Sequence, residues 1–206
     1  MIKTPHGSPG KTAAKTMALP ATVDELRARC NSGEAFNFIF FWEETPEHES
    51  VIGANCLSQW YEAPLVIDGV RYLTAEHFMM AEKARLFNDQ FALQQILAAN
   101  HPRLAKQIGR KVLNFDEKLW NQHSVEIVTH GNFAKFSQNQ ELQEYLITTH
   151  GKVLVEASPY DKIWGIGLAR NEAAARNPTQ WQGLNLLGFS IMKARAQLFE
   201  QLGIVT

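Results

Sequence analysis

The chain has 206 residues, of which 45% are hydrophobic and 20% are charged, and its formal net charge is −1. This length and apolar content suit one domain with a sizeable core. The near-neutral charge argues against binding of long nucleic acid by phosphate neutralisation alone, but it is compatible with a small nucleotide or a locally basic pocket.

The cysteines, the histidines and the apolar runs narrow the possible cellular compartment and the possible kinds of site. Cys30 and Cys56 fit neither a metal-binding spacing nor a disulfide framework, which indicates a reduced, cytoplasmic protein. No apolar run approaches the roughly 20 residues of a membrane span. None of the seven histidines belongs to a zinc motif, and no P-loop or complete dinucleotide fingerprint occurs, so neither a metal nor a cofactor is predicted.

The N-terminal half begins with a leader and then favours strands. Residues 1–20 are rich in Gly, Pro, Ser, Thr, Ala and Lys, and they predict a mobile leader ahead of a single domain over residues 21–206. A capping box at Thr22 predicts a helix to about Cys30. The aromatic run 36–42 predicts a strand, followed by an acidic loop over 43–53. A β-rich block is then predicted at 57–61 and 65–72, with a type I′ hairpin turn at Asp68-Gly69.

From Thr74 onward the pattern is mainly helical. Helices are predicted to begin at Thr74, Asn88-Asp89, His101-Pro102, Asp116, Asn139 and Asn185. A short strand is predicted at 152–157, with loops at 161–167 and 173–183, and Gly203 closes the last helix. The order predicts an α+β fold, a mainly helical single domain around a small β-sheet.

The most informative stretch is residues 73–84, a helix start with unusual polar residues. Glu76 and His77 fall in the first turn, where the helix dipole favours negative charge, and Lys83 returns to the face of Glu76 two turns later. The residues between them are apolar. One interpretation is an active site in which Glu76 is a general acid or base and Lys83 binds phosphate or acts as an amine nucleophile. The alternative is that Glu76 complements the dipole and Lys83 extends to solvent.

A second candidate is the loop that begins at Asp161. Here a carboxylate stands close to Trp164, and Gly165 would let a flat ligand approach the backbone. The alternative is a turn around a core tryptophan. Trp60 and Trp120 carry the same ambiguity between ligand stacking and core packing.

Polar residues at two helix junctions form the third group. Lys135 and Asn139 suit hydrogen bonding to a ribose, a phosphate or a base edge, whereas plain capping by Asn139 is the alternative. Asn185 carries the same choice before the last helix, where Arg195 is otherwise expected to be an exposed charge.

Taken in order, these motifs resemble the YbiA-like NADAR family from about Phe40 to Leu198. The resemblance rests on Phe41-Trp42, Leu57-Ser58-Gln59-Trp60-Tyr61, Thr74-Ala75-Glu76-His77, Lys83-Ala84, Ala105-Lys106, Gly109, Trp120, Lys135-Phe136, Gln138-Asn139, Leu154-Val155-Glu156-Ala157-Ser158, Asp161, Trp164-Gly165-Ile166-Gly167, Gly183-Leu184-Asn185, Leu187-Gly188, Met192 and Arg195. The family's usual Ser-Asn-Phe-Tyr run is Ser-Gln-Trp-Tyr at residues 58–61 here, which alters the expected shape of the substrate pocket.

The resemblance implies a YbiA-like/NADAR fold and hydrolysis of an N-glycosidic bond. The implied substrates are phosphoribosylamino-pyrimidine intermediates of riboflavin biosynthesis, cleaved to a free base and ribose 5-phosphate. The expected catalytic residues are Glu76, Lys83 and Asp161. The expected substrate-binding residues are Trp60, His77, Trp120, Lys135, Asn139, Trp164, Gly165 and Asn185.

The resemblance also limits the partners and keeps alternatives open. The expected partner is a small phosphorylated N-riboside or an ADP-ribose conjugate, with no cofactor and no membrane. One alternative function is removal of ADP-ribose from guanine in nucleic acid, and another is a non-catalytic nucleotide-binding module. The residues do not decide which carboxylate is the acid, nor whether Lys83 forms a Schiff base or only binds phosphate.

Overall fold

A computed structural model describes residues 18–43 and 51–204 of the chain. Of the predicted leader it describes only residues 18–20, and residues 44–50 of the predicted acidic loop lie outside the described ranges. Leader mobility and the domain boundary therefore stay predictions. No helix in the described ranges is both long and apolar enough to cross a membrane.

The described residues are mainly helical, with four short strands. The helices are α1 (Val23–Asn31), α2 (Ala75–Leu86), α3 (Gln90–Ala98), α4 (Pro102–Gly109), α5 (Glu117–Gln138), α6 (Gln140–Thr148) and α7 (Leu186–Leu202). The strands are β1 (Asn37–Phe41), β2 (Leu65–Ile67), β3 (Val70–Tyr72) and β4 (Lys152–Glu156). Short 3₁₀ turns occupy Ala54–Leu57, Ala173–Arg176 and Pro178–Gln180. The predicted α+β class is confirmed.

The strands form two separate pairs. β1 and β4 are parallel, in a register that sets Phe41 opposite Glu156, and the side chains of residues 153–155 are fully buried. β2 and β3 form the predicted antiparallel hairpin. Its turn residues have φ values of 50° at Asp68 and 76° at Gly69, the left-handed backbone that a type I′ turn requires.

Side-chain caps fix several helix starts where the sequence predicts them. Thr22, Asp89 and Asp116 accept a hydrogen bond from the backbone N–H three residues on, which satisfies an orphan donor of the first turn. Thr74 does the same for the backbone of His77 at the start of α2. These local rules place α2 at the residues expected from the sequence.

The predicted strand at residues 57–61 is wrong. A 3₁₀ turn ends at Leu57, and the chain then continues without regular secondary structure. We call residues 56–60 the 56–60 segment. Three backbone carbonyls of this segment accept hydrogen bonds without a neighbouring strand. The Lys135 ammonium donates to the carbonyls of Cys56 and Ser58, and the Glu76 N–H donates to the carbonyl of Gln59.

Two predicted side-chain caps are also wrong, because both amides bond elsewhere. Asn139 donates to the carbonyls of Lys135 and Pro64 and does not cap α6. Asn185 has a left-handed backbone with φ of 54° and does not cap α7. Its Oδ1 instead accepts from the N–H of Glu156 at 2.9 Å, and its Nδ2 donates to the carbonyl of Leu154 at 2.9 Å.

Arg195 is buried, contrary to the expected exposed charge. Its guanidinium donates to the carbonyl and the hydroxyl of Thr149 and to the carbonyl of Lys152, so it joins α7 to the turn before β4. Burial lowers the pKa of Arg195 to about 10. The charge is accommodated because the donors meet backbone and hydroxyl oxygens.

We predict that Asn185→Ala destabilises the protein by about 2–4 kcal/mol, since two buried backbone groups of β4 lose their partners. Chemical unfolding would measure the change. Asn121→Ala, at an exposed position of α5, is the matched control and should stay within about 0.5 kcal/mol of the wild type. A loss for Asn185→Ala as small as that of the control would contradict a bridging role.

Candidate active site

A cavity of about 630 Å³ lies between α2, α4, the start of α5, the 56–60 segment and the chain that follows β4. It is lined by Trp42, Glu43, Ser58, Gln59, Trp60, Glu76, Met79, Met80, Lys83, Arg103, Lys106, Arg110, Trp120, Glu156, Ser158, Tyr160, Asp161, Ile163, Trp164 and Leu187. Among the described residues, no cluster of His, Cys, Asp and Glu could hold a metal ion. The cavity brings together six of the eleven residues expected from the sequence: Trp60, Glu76, Lys83, Trp120, Asp161 and Trp164.

Glu76 is held in the wall of this cavity by the start of α2. Its side chain is only 4% exposed, and its backbone N–H is fixed to Gln59. Burial raises the pKa of the Glu76 carboxyl, and the negative charge of Asp161 adds to the effect. Lys106, a hydrogen bond from the indole of Trp60, and Arg110 oppose it by favouring the ionised form.

Asp161 serves both the cavity and its own loop. Its Oδ1 accepts from the N–H groups of Ile163 at 2.9 Å and Trp164 at 2.8 Å, which folds the loop back and fixes the position of the Trp164 backbone. The carboxylate lies close enough to Glu76 and Glu156 to raise the pKa of each.

Glu156 lies in the same wall, at the end of β4, and sequence reasoning did not assign it to the site. Burial raises the pKa of Glu156 to about 8, with further increases from Asp161 and Glu76 and an opposing effect of Lys106. Its Oε2 is buried and has no hydrogen-bond partner. The available signal was a carboxylate directly after three apolar strand residues, a place where strand ends often carry functional groups.

Lys83 lies at the edge of the cavity between aromatic rings. Its Nζ is 4.1 Å from the centroid of Phe115 and 5.5 Å from that of Trp120. Burial lowers the pKa of the Lys83 amine, and the positive charge of Arg110 lowers it further. A larger fraction of free amine than in an exposed lysine is therefore available near neutral pH.

Three further cations give the cavity a basic side, which we call the α4 cation face: Arg103, Lys106 and Arg110. The Cζ of Arg103 and the Nζ of Lys106 lie 5.6 Å and 5.8 Å from the ring centroid of Trp60. The ion pairs formed within residues 18–43 and 51–204 include none of the three. Sequence reasoning missed this face, although the spacing of three and four residues along one helix was visible.

Four of the expected substrate-binding residues do not line the cavity, and their polar groups bond within the protein. His77 bonds through Nδ1 to the Thr74 hydroxyl at 2.8 Å and through Nε2 to the Ala99 carbonyl at 3.2 Å. Burial lowers the pKa of His77, which favours the neutral ring in this pair of bonds. Asn139 and Asn185 bond to backbone groups, as described above.

Lys135 is the fourth of these residues. It is fully buried, and its Nζ donates to the carbonyls of Cys56 at 2.6 Å and Ser58 at 2.8 Å. Burial lowers the pKa of Lys135 to about 8. The residue therefore supports the 56–60 segment from behind, and we propose no direct substrate contact for it.

Gly165 also lies outside the cavity lining, and its role differs from the expected close approach of a ligand. A Cβ at this position would lie 2.9 Å from the carbonyl of Glu156 and 3.0 Å from that of Asp161. The glycine is needed because two stretches of the protein backbone approach each other here.

The fold and the cavity define an enzyme whose site combines buried carboxylates, indole rings and a basic side. A model of the NADAR domain matches residues 40–199 of the chain. The chain therefore belongs to the NADAR domain family, as the sequence motifs predicted.

Relatives agree with this assignment. An N-glycosidase of Acanthamoeba polyphaga mimivirus is 39% identical over 169 residues, which is 80% of this chain and 98% of that protein. The N-glycosidase YbiA of Escherichia coli is 30% identical over 135 residues, 66% of this chain and 76% of that protein. These similarities give the present chain its enzyme class, N-glycosidase.

Two further comparisons are with a plant relative and with a solved structure. The chloroplastic riboflavin biosynthesis protein PYRR of Arabidopsis thaliana is 30% identical over 148 residues, 68% of this chain and 22% of that protein. The NMR structure of the E. coli protein YbiA superposes with a TM-score of 0.64 at 22% identity, covering 91% of this chain and 98% of that one. The superposition confirms the fold.

Proposed function

We propose that this enzyme hydrolyses the N-glycosidic bond of a small phosphorylated ribosylamine. The leading substrates are phosphoribosylamino-pyrimidine intermediates of riboflavin biosynthesis, which would yield a free base and ribose 5-phosphate. The observation that carries the proposal is the meeting of buried carboxylates with the α4 cation face in one cavity. Similarity to a relative named as a riboflavin biosynthesis protein supports the choice of pathway.

The carboxylates match the charges that this reaction creates. Cleavage of the bond between carbon and nitrogen builds positive charge on the ribose and negative charge on the leaving base. Glu76 and Asp161 lie in the cavity wall, where a carboxylate can stabilise the sugar cation and accept a proton from the attacking water. Exclusion of bulk water strengthens these interactions.

The remaining lining residues match the two ends of such a substrate. The indoles of Trp60, Trp120 and Trp164 offer flat apolar faces to a pyrimidine. The α4 cation face offers guanidinium and ammonium donors to a phosphate. Lys83 lies beside Trp120, and its lowered pKa supports either phosphate binding or attack on the sugar carbon as a free amine.

We predict that Glu76→Gln lowers kcat/KM for the pyrimidine intermediate by about 100-fold or more, because the amide can neither accept a proton nor balance the sugar cation. Release of ribose 5-phosphate would be followed with purified protein. Glu82→Gln is the matched control, since Glu82 lies on the same helix, outside the cavity, in an ion pair with Arg85. It should keep wild-type activity. The proposal fails if wild type and Glu76→Gln both give only the spontaneous rate.

We predict that Arg110→Gln raises KM about tenfold for the phosphorylated substrate, since a lost ionic contact of about 1.4 kcal/mol corresponds to that factor. The dephosphorylated riboside should respond less than twofold. Lys111→Gln, at the exposed neighbouring position, is the control and should leave both KM values unchanged. Equal effects of Arg110→Gln on the two substrates would contradict phosphate binding at this face.

Removal of ADP-ribose from guanine is a second candidate function, favoured by the extent of the α4 cation face. Exposed Arg103 lies beside Trp60, so the face offers charge for more than one phosphate. An oligonucleotide with ADP-ribosylated guanine tests this candidate directly. We expect a lower kcat/KM for the oligonucleotide than for the small pyrimidine riboside, and the reverse order would make the ADP-ribosyl conjugate the preferred substrate.

A further inference from the structure

We infer that Glu156 is the catalytic acid that protonates the leaving base, while Glu76 and Asp161 act as carboxylates. This inference rests on the proposed hydrolysis of an N-glycosidic bond. It assigns a role to a residue that lies within a family motif but was not predicted from the sequence to be a site residue.

The fold presents Glu156 to the cavity as a fixed and unpaired group. Its backbone N–H is held by the Asn185 amide, and its strand position is set by pairing with β1. In the described part of the chain, only two buried side-chain atoms lack a hydrogen-bond partner: the Oε2 of Glu156 and the Oδ1 of Asn132. Of the two residues, Glu156 alone lines the cavity. Its Oε2 therefore has no protein donor to stabilise a negative charge, and the residue keeps part of its surface at the cavity.

The surroundings of Glu156 favour the protonated carboxyl group. Burial disfavours its charge, and the two nearby carboxylates, Asp161 and Glu76, disfavour it further. Among the described cations, Lys106 acts in the opposite direction and lowers the pKa of Glu156. A carboxylate with two acidic neighbours and an oxygen without a hydrogen-bond donor retains its proton most readily.

Glu76 is better supplied with groups that favour ionisation. The indole of Trp60 donates a hydrogen bond to it, and both Lys106 and Arg110 act on it electrostatically. When neighbouring acids differ in this way, the group with fewer stabilising partners is the one that holds the proton. The proton is therefore assigned to Glu156, and Glu76 serves as the carboxylate.

Glu156, Glu76 or Asp161, and one water molecule take part in the proposed step. The bond between C1 of the ribose and the nitrogen of the base breaks, and its electron pair stays on the nitrogen. The Glu156 carboxyl transfers its proton to that nitrogen and becomes a carboxylate. Water adds to C1, and its proton passes to Glu76 or Asp161 and then returns to Glu156 through solvent. The products are the free base, ribose 5-phosphate and the enzyme in its starting state.

The decisive experiment compares two leaving groups in wild type, Glu156→Gln and Glu76→Gln. We expect Glu156→Gln to lower kcat by about 10²- to 10⁴-fold for the pyrimidine intermediate, the usual contribution of a positioned acid. With p-nitrophenyl ribofuranoside 5-phosphate, whose leaving group departs without a proton, the loss should be less than about fivefold. Glu76→Gln should lose activity on both substrates. Equal losses of Glu156→Gln on both, or no loss on either, would overturn the assignment.

The pH profile supplies a second readout. In the wild type, kcat/KM for the pyrimidine intermediate should fall as the pH rises through about 8, because the acid loses its proton. This fall should be absent in the residual activity of Glu156→Gln. If wild type shows no turnover at all, the proposed function fails, whereas an active wild type with an unchanged profile in Glu156→Gln contradicts only the acid assignment.

A stability measurement distinguishes loss of the catalytic acid from loss of the folded structure. The pKa of Glu156 is raised in the folded state, so the wild type binds more protons folded than unfolded and loses stability as the pH rises from about 4.5 to about 8. Glu156→Gln lacks this loss, and its melting temperature should exceed that of the wild type at pH 9. The two melting temperatures should converge near pH 4. A variant less stable than the wild type at pH 9 would contradict burial of a neutral acid here.

Discussion

The Glu76 side chain and the Oε2 of the partly exposed Glu156 are buried at the same cavity, and neither carboxyl group forms an ion pair within the described residues. Desolvation of an unpaired carboxylate is among the most costly events in folding. The fold bears this cost by holding one acid protonated and by placing an indole and two cations near the other. The same arrangement supplies an acid and a base side by side. The burial that destabilises the fold therefore also provides the groups that the proposed reaction needs.

Buried polar residues behind the cavity make this arrangement rigid. Lys135 fixes two carbonyls of the 56–60 segment, and Asn132 donates at 2.9 Å to the side chain of Gln59. The carbonyl of Gln59 in turn accepts from the backbone of Glu76. On the opposite side, Asn185 ties the start of α7 to β4 beside Glu156. Each acid is therefore positioned by a hydrogen bond from its own backbone N–H, which does not occupy its carboxyl group.

Local sequence rules predicted the elements that depend on local chemistry. The cap at Thr74, the turn at Asp68-Gly69 and the helix that carries Glu76 and Lys83 all follow from short-range hydrogen bonding and backbone preferences. The mainly helical α+β class follows from the order of these elements. The site residues carried by α2 line the cavity, and so do the three tryptophans that were predicted to bind substrate.

Long-range partners decided the rest, and the sequence pattern does not reveal them. A lysine or asparagine stands in the same sequence pattern whether its side chain binds a phosphate or the carbonyl of a distant residue. For this reason the sequence assigned Lys135, Asn139 and Asn185 to substrate binding. Arg195 was expected at the surface for the same reason. Glu156 was overlooked because its importance arises from Asp161 and Glu76, which meet it only in the folded chain.

The central claim is that two buried glutamates in one cavity hold different charges, and an NMR titration tests it most directly. Protein labelled with ¹³C at the glutamate side-chain carboxyls would be titrated, and Glu156→Gln and Glu76→Gln would assign the signals. We expect the Glu156 carboxyl to titrate near pH 8, and the Glu76 carboxyl to be ionised while Glu156 still holds its proton. Titration of Glu156 near the ordinary value of about 4.3, or at a pH below that of Glu76, would contradict it.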